Sequence, residues 1–349
     1  MKKRILTVVI VLAMAFGLSL SALADSNYAE QEQYGGGDSA TVEQYGQSNV
    51  AYQWQNYYQG LLGGNNIAEI FQEGTGNIAS QVQEGIGNEA YITQIGNDNY
   101  AGNNAFAGQW QSGGDGWTGI GNYNYSEIWQ EGNANRAAQT TVGDDNATVG
   151  DDNEAYITQI GNNNDAGFWG ISELWGGTDA MFNAGQRQFG NDNIASIYQE
   201  GSYNRALQRQ NTFETPGDGN TAEIEQYGTN SGASYFVSDV VGAGQKQFGN
   251  NNYASIYQNG WENYAYSIQT GNWNTVFQSQ TGEYNYGIAT QTGDGNSISQ
   301  DQDGNYNRSI ATQTGDGNSI SQSQTGNWHY SIVTQTGNGN AATVTQGNL

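Results

Sequence analysis

Cysteine, proline and histidine are almost missing from this chain. Its 349 residues include no cysteine, one proline and one histidine, His329. Without cysteine no disulfide can form. No arrangement of a catalytic nucleophile with a base is recognisable, so the sequence gives little support for an enzyme. We therefore predict that the protein is not an enzyme and that it has no catalytic residue, no metal site and no cofactor.

Basic residues are also scarce, and three of the nine lie at the start of the chain. They precede an apolar run over residues 5–20 and the small-residue stretch Ala22-Leu23-Ala24, a pattern typical of a secretory signal peptide over residues 1–24. The run is shorter than the roughly 20 residues of a membrane-spanning helix, so we expect cleavage and no stable membrane insertion. Removing the signal leaves 34 acidic against 6 basic residues, a net charge of −28, which should repel nucleic acid.

Aliphatic residues are too few for an ordinary core. Glycine supplies 51 residues and polar amides and hydroxyls much of the rest, a composition typical of disordered or prion-like chains. The spacing argues against disorder, because glutamine recurs every 11 residues without a miss near the C terminus. These glutamines are Gln247, Gln258, Gln269, Gln280, Gln291, Gln302, Gln313, Gln324, Gln335 and Gln346. A fixed period of this kind is the signature of a solenoid.

Each period contains one turn and one strand. In QFGNNNYASIYQ at residues 247–258, the glycine and its polar neighbours suit a turn, and the residues after them alternate in strand fashion. Asn252, Ala254, Ile256 and Gln258 share one parity, which we assign to the interior. The twelve residues ATQTGDGNSISQ occur at 289–300 and again at 311–322, so the structural repeat is two units, or 22 residues.

The sequence therefore predicts an all-β fold, a β-solenoid over residues 33–349 that follows a short N-terminal segment at 25–32. Rungs of about 22 residues, each strand–turn–strand, should stack about 4.8 Å apart, so that each inward amide bonds to its copy in the next rung. The predicted ladder amides are Gln247, Asn252, Gln258, Asn263, Gln269, Asn274, Gln280, Asn285, Gln291, Asn296, Gln302, Asn307, Gln313, Asn318, Gln324, Gln335, Asn340 and Gln346. The predicted turn glycines are Gly249, Gly260, Gly271, Gly282, Gly293, Gly304, Gly315, Gly326 and Gly337. Insertions near 102–119, 142–148, 166–187, 211–216 and 229–245 interrupt the period, and we predict that they are loops at rung corners.

These units resemble the repeats of curlin, the subunit of bacterial curli fibres. Gln291, Gly293, Gly295, Asn296 and Gln302 match the turn and amide positions of the curlin pattern. The resemblance implies export by a Gram-negative cell and assembly outside it as a functional amyloid of the biofilm matrix. It also implies partners: further copies of the chain, another curlin-type subunit and an outer-membrane export pore. The chain departs from curlin in its greater length and in the shortness of the segment before the first repeat.

Two other functions fit the sequence less well. One is a monomeric secreted solenoid adhesin that binds glycan or calcium, with GDGN turns at 293 and 315 as acidic ligands and loop tryptophans as sugar contacts. Those tryptophans are Trp110, Trp117, Trp169 and Trp175. The other is a solenoid enzyme that cleaves polysaccharide with paired carboxylates, although nothing singles out a pair. His329 takes an asparagine place in the repeat, which favours a ladder role over a catalytic one.

Two surface features bear on assembly. The last strand closes at Gln346 without a polar cap, so we expect an open edge and head-to-tail polymerisation. Tyr266, Ile288, Ile310 and Ile332 share the outward parity at a spacing of 22 residues. This ridge is either an ordinary result of β-propensity or a seam along which fibres bundle.

Overall fold

Parallel β-strands make up the described part of the protein. The computed structural model describes residues 18–23, 26–34, 36–55, 64–83, 85–103, 106–107, 109–113, 123–137, 139–143, 153–162, 164–166, 186–189, 191–210, 217–229 and 243–347, and none of these is helical. The strands are β1 (Leu18–Leu23), β2 (Tyr28–Gln33), β3 (Ser39–Gln47), β4 (Val50–Gln55), β5 (Ile67–Thr75), β6 (Ile78–Gln83), β7 (Glu89–Asn97), β8 (Tyr100–Asn103), β9 (Phe106–Ala107), β10 (Gln109–Gly113), β11 (Tyr125–Asn133), β12 (Arg136–Ala137), β13 (Gln139–Gly143), β14 (Glu154–Asn162), β15 (Asp165–Ala166), β16 (Gln186–Phe189), β17 (Ile194–Ser202), β18 (Ala206–Gln210), β19 (Thr221–Thr229), β20 (Ala243–Phe248), β21 (Tyr253–Trp261), β22 (Tyr264–Thr270), β23 (Thr275–Glu283), β24 (Tyr286–Thr292), β25 (Ser297–Asp303), β26 (Arg308–Thr314), β27 (Ser319–Thr325), β28 (Tyr330–Thr336) and β29 (Ala341–Gly347).

Two sheets share these strands. Sheet one has 13 strands in the order β1-β3-β5-β7-β11-β14-β17-β19-β21-β23-β25-β27-β29. Sheet two holds the intervening strands, from β2 at one end to β28 at the other. Because the chain passes from sheet one to sheet two and back, each pair of strands is one rung of a solenoid. The predicted all-β solenoid of strand–turn–strand rungs is confirmed.

The strands keep the same pairing register although the number of residues between equivalent glutamines varies along the chain. Gln44 stacks on Gln72 at a separation of 28 residues, and Gln159 stacks on Gln199 at a separation of 40. From Gln258 onward each step is 22 residues. Extra residues are therefore accommodated without a slip in pairing, which would turn the inward amides to the outside.

Three rungs of sheet two are interrupted within a strand. β8 and β10 both pair with β6 and together fill the place of one strand; β12 with β13, and β15 with β16, do the same. Part of the predicted insertion at 102–119 is thus β10, which returns to the ladder parity at Gln109 opposite Gln81. The predicted insertion at 142–148 overlaps β13, that at 166–187 overlaps β15 and β16, and that at 229–245 overlaps β19 and β20. The rest of these insertions, with 211–216, lies outside the described residues.

The interior is one thin layer of amides and small or aliphatic side chains. In most of sheet one the inward set is that of β7, where Ala90, Ile92 and Gln94 are fully buried. From β23 to β27 the inward residues are instead one aliphatic residue followed by two glutamines. Ile298 and Gln300 of β25 face small residues of sheet two. Gln300 Nε2 donates to Ser309 Oγ at 3.0 Å, so a polar contact fills the space that a larger aliphatic residue fills elsewhere.

Strands also occur before the predicted start of the solenoid. β1 lies within the predicted signal peptide and pairs with β3. β2 covers most of the predicted N-terminal segment and pairs with β4, so in this structure the first rung begins before Gln33. Cleavage of residues 1–24 remains a prediction. Among the described residues there is no apolar helix of membrane-spanning length.

Candidate assembly interface

A continuous chain of glutamine amides runs along the solenoid. In sheet one, Nε2 of each inward glutamine donates to Oε1 of the glutamine in the next rung, through eleven successive bonds from Gln44 to Gln346 at 2.8–2.9 Å. A second chain in sheet two runs from Gln188 to Gln335. Both contain the glutamines predicted from the sequence. All the bonds point the same way, so each ladder has an acceptor end and a donor end.

This polarity leaves the first member of each ladder without a donor. Five buried side-chain atoms among the described residues have no hydrogen-bond partner, and four are Oε1 atoms of Gln33, Gln44, Gln188 and Gln278. Gln188 and Gln278 follow Thr141 and Ile256 in register, neither of which offers an amide. Gln33 and Gln44 lie at the N-terminal end of the solenoid, where Ala22 of β1 stands opposite Gln44.

In the ladder from Asn252 to Asn340 the asparagines make the predicted amide-to-amide bonds, as from Asn296 Nδ2 to Asn274 Oδ1 at 3.1 Å, and they also bind the backbone. At each corner the backbone N–H of one asparagine donates to Oδ1 of the asparagine in the preceding rung, as from Asn296 to Asn274 at 3.0 Å. The side chain also donates to a turn carbonyl of the following rung, as from Asn274 Nδ2 to the carbonyl of Gly293 at 2.7 Å. An asparagine such as Asn274 therefore links the backbones of three rungs.

The corner glycines are required for the close stacking of the turns. Gly293 has φ +112°, and a Cβ added there would overlap the carbonyl oxygen of Gly315. Each of these glycines is thus constrained both by its own backbone conformation and by the turn of the next rung. Gly337, in the last complete turn, has no such neighbour in the described chain.

The inward groups at the C-terminal end lack a cover in this structure. β28 pairs with β26 and β29 pairs with β27, each on one side only among the described strands. Ala342, Val344 and Gln346 are half-buried, although the equivalent residues of β27 are fully buried. Gln346 Nε2 donates to the carbonyl of Tyr330 and has a second N–H directed along the ladder.

The outer face of sheet one is acidic. Its described strands carry 13 carboxylates and no lysine or arginine, and all 13 side chains are exposed or half-buried. No two of these carboxylates are in direct register on adjacent strands, as Glu89, Tyr125 and Glu154 illustrate. Since like charges opposite each other destabilise a sheet, this alternation reduces the cost of the acidic face.

Tyrosines separate these carboxylates and bind them. Tyr91 donates its phenol proton to Glu89 at 3.1 Å, and Tyr156 donates to Glu154 at 3.0 Å. Burial, followed by the nearby carboxylate of Glu89, raises the pKa of Tyr91 to about 12. The tyrosines also contact each other, with the ring centroids of Tyr91 and Tyr125 5.6 Å apart.

The outer face of sheet two has the opposite character. Its described strands contain five of the six basic residues outside the signal, and the sixth, Arg205, immediately precedes β18. From β18 to β28 these strands contain no carboxylate. Between Lys246 and Arg308 the face consists of tyrosine, isoleucine and threonine, and Arg308 lies 5.0 Å from the ring centre of Tyr286.

The other candidate sites take structural positions. The backbone N–H of His329 donates to Asn307 Oδ1 at 3.0 Å, so this histidine stands in an asparagine place. Asp294 and Asp316 are neighbours in an outer corner ladder, in which the N–H of Asp294 donates to Asp316 Oδ1 at 2.9 Å. No group of three metal-binding side chains occurs within the described ranges. Trp110 lies in β10, and the other three loop tryptophans lie outside the described residues.

A family comparison follows the same repeats. A model described as the curlin associated repeat matches residues 63–96, 190–228, 249–277 and 323–347. The matched segments include members of both glutamine ladders, among them Gln226, Gln258 and Gln335. No curated protein matches the chain.

Proposed function

The chain belongs to the curlin-repeat family, and on this premise we propose that it is a structural subunit of an extracellular curli-type amyloid fibre. The family consists of fibre subunits rather than enzymes. In this proposal the chain is secreted by a Gram-negative cell, acts as material of the biofilm matrix and catalyses no reaction. Its main partner is a second copy of itself, with another curlin-type subunit and an export pore as additional partners.

The complementary ends of the amide ladders carry the proposal. One end presents the acceptors Gln33 Oε1 and Gln44 Oε1, which have no hydrogen-bond partner among the described residues. The other end presents Gln335 and Gln346, the last donors of the two ladders. A hydrogen bond formed in the interior contributes about 0.5–1.5 kcal/mol, so stacking two copies adds two such bonds per junction.

The two ends also match in shape once residues 1–24 are removed. The N-terminal end then begins with β2 of sheet two and lacks a strand of sheet one, whereas the C-terminal end has β29 of sheet one without a following strand of sheet two. In a head-to-tail stack, β29 of one copy takes the place of β1 on β3 of the next. Gln346 then faces Gln44, and Gln335 faces Gln33, in the register that the rungs already use.

The test is assembly of purified residues 25–349. We expect fibres that bind thioflavin and diffract at about 4.8 Å along the axis. The double variant Gln44→Leu/Gln346→Leu removes the donor and the acceptor of the junction together with the terminal ladder bonds Gln44–Gln72 and Gln324–Gln346. Circular dichroism should show that it still folds, and it should assemble much more slowly.

The matched control is Ser299→Leu/Ser321→Leu, which adds the same apolar side chains on the outer face of sheet one. It should assemble as the unmodified chain does. A folded protein that stays monomeric at high concentration for days would refute the proposal and favour the monomeric adhesin.

A further inference from the structure

The cations of sheet two are placed in an unusual way. Arg187, Arg209 and Lys246 are in direct register on the consecutive strands β16, β18 and β20. Sheet one keeps its carboxylates out of register on every pair of described neighbouring strands, so the same chain avoids stacked like charges on one face and accepts them on the other.

We propose that the outer face of sheet two docks onto the outer face of sheet one of a second copy, so that fibres associate side by side. The inference rests on the proposed fibre, because each face becomes continuous only along a stack. The two faces lie on opposite sides of one thin solenoid, so each copy offers one face of each kind. Such a contact is heterologous and repeats from fibre to fibre, which gives bundles of open-ended width.

Charge selects this pairing among the alternatives. Two sheet-one faces would bring carboxylates together, because the described strands of that face carry 13 of them and no basic residue. Lys246 and Arg308 on sheet two instead meet glutamates and aspartates of sheet one. Arg308 is held between the rings of Tyr286 and Tyr330, 5.0 and 5.5 Å from their centres, which fixes its position on the face.

Apolar contact favours a protein partner over a hydrated polyanion. On β24, β26 and β28 the face carries Ile288, Ile310 and Ile332 in register, whereas Tyr266, the fourth member of the predicted ridge, is only 7% exposed. Ile332 is 54% exposed. Sheet one offers outward aromatic rings between its carboxylates, among them Phe277, which is 47% exposed.

The part of the sheet-two face formed by β20, β22, β24, β26 and β28 is large enough to form an interface once copies are stacked. Strands of seven residues are about 23 Å long, and five strands at about 4.8 Å spacing give a face of about 550 Å² per copy. A specific interface buries about 800 Å² per partner, so one copy is below that size and two successive copies in a fibre exceed it. Bundling should therefore require fibres, and monomers should not pair through this face.

The experiment compares fibre formation with bundle formation for residues 25–349. Thioflavin fluorescence follows fibres, and electron microscopy with low-speed sedimentation follows bundles. Lys246→Glu/Arg308→Glu should form single fibres at the normal rate and lose bundling. Unmodified bundles should separate into single fibres at about 1 M salt, where the screening length falls to about 3 Å.

A neutralising pair with a matched control separates the contact from general repulsion. Lys246→Gln/Arg308→Gln and Thr275→Glu/Ser321→Glu make the net charge more negative by the same amount, and neither new glutamate stands opposite a carboxylate. Only the first pair should reduce bundling, because the second adds carboxylates to a face that already meets cations. Equal loss of bundling in both would overturn the proposal.

A charge swap tests whether the two faces meet. Glu225→Lys/Asp301→Lys should also form single fibres that bundle poorly. Mixed with Lys246→Glu/Arg308→Glu fibres, it should restore bundles that contain both variants, and separate fibres in the mixture would refute the pairing. Bundling of the unmodified fibres only after addition of polyphosphate would also refute it, in favour of an anionic polymer.

The apolar ridge has its own test. Changing Ile288, Ile310 and Ile332 to threonine keeps β-branched side chains on the outer face, so the rungs should remain intact. We expect single fibres with a marked loss of bundles. Bundles of unchanged width would show that the ridge takes no part in the contact. Absence of fibres in the unmodified chain would instead count against the proposed function.

Discussion

A single glycine offers a direct test of stacking at the C-terminal end. A Cβ added to Gly315 would overlap the carbonyl oxygen of Gly337 and come within 2.6 Å of Asn338 Oδ1. A Cβ added to Gly337 itself would meet only Asn340 Nδ2, at 3.5 Å, an ordinary contact. Gly337→Ala should therefore be compatible with the fold of one copy and incompatible with the addition of the next.

The expected sizes of the two effects differ. Gly337 has φ +103°, so an alanine there is strained by about 1–3 kcal/mol, which should lower the free energy of unfolding by that amount. In a stack that pairs Gln335 with Gln33, the turn after Gln33 of the next copy should follow Gly337 as the turn after Gln335 follows Gly315. The overlap that Gly315→Ala would cause inside one copy then arises at the junction.

The assay is elongation of single fibres observed by microscopy. Pure Gly337→Ala should fold and fail to elongate. Mixed into unmodified protein, it should join the C-terminal end of a growing fibre through its own N-terminal end and stop growth there. The control is Gly339→Ala, which has φ +69° and no atom within 4 Å of its added Cβ. Normal elongation of Gly337→Ala would refute the stacking register.

Three further predictions concern the ladders and the acidic surface. Gln302→Leu removes a donor to Gln324 Oε1, now at 2.9 Å, and should lower the free energy of unfolding by about 1–3 kcal/mol in chemical denaturation. Each copy without residues 1–24 carries a net charge of −28, so acidification to about pH 4 or added salt should shorten the lag of assembly, and a lag indifferent to both would contradict this. Folding raises the pKa of Tyr91 to about 12 from about 10 in the unfolded chain, so the folded state favours the protonated phenol. The free energy of unfolding should therefore keep its full value below pH 10 and fall as the pH rises towards 12, and the fall should be smaller in Tyr91→Phe.

The ladder polarity explains why a verbatim repeat is useful here. Each inward glutamine both donates and accepts, so Gln302 is satisfied only when Gln280 and Gln324 occupy the neighbouring rungs. A glutamine at the start of a run leaves its oxygen without a partner, as at Gln278 after Ile256. The chain accepts two such starts inside the solenoid and two at its N-terminal end.

The sequence by itself determined the local unit. Period-two alternation within each 11-residue unit places Asn252, Ala254, Ile256 and Gln258 on one side of a strand, and all four are buried. The glycine positions also followed from local chemistry, because a turn between short strands needs a backbone conformation that glycine adopts most easily. These features depend on neighbouring residues, so a pattern in one chain is sufficient to predict them.

Only the tertiary structure decided which strands are neighbours where the period breaks. The strand-like residues 109–113 lie within a predicted loop, yet Gln109 stacks on Gln81 and completes a rung. The difference in charge between the two outer faces likewise depends on how alternate strands are assigned to the two sheets. This assignment places Arg209 in register with Lys246, 37 residues further along the chain. Long-range register fixes these contacts, because a rung is stabilised by its copies above and below rather than by residues adjacent in sequence.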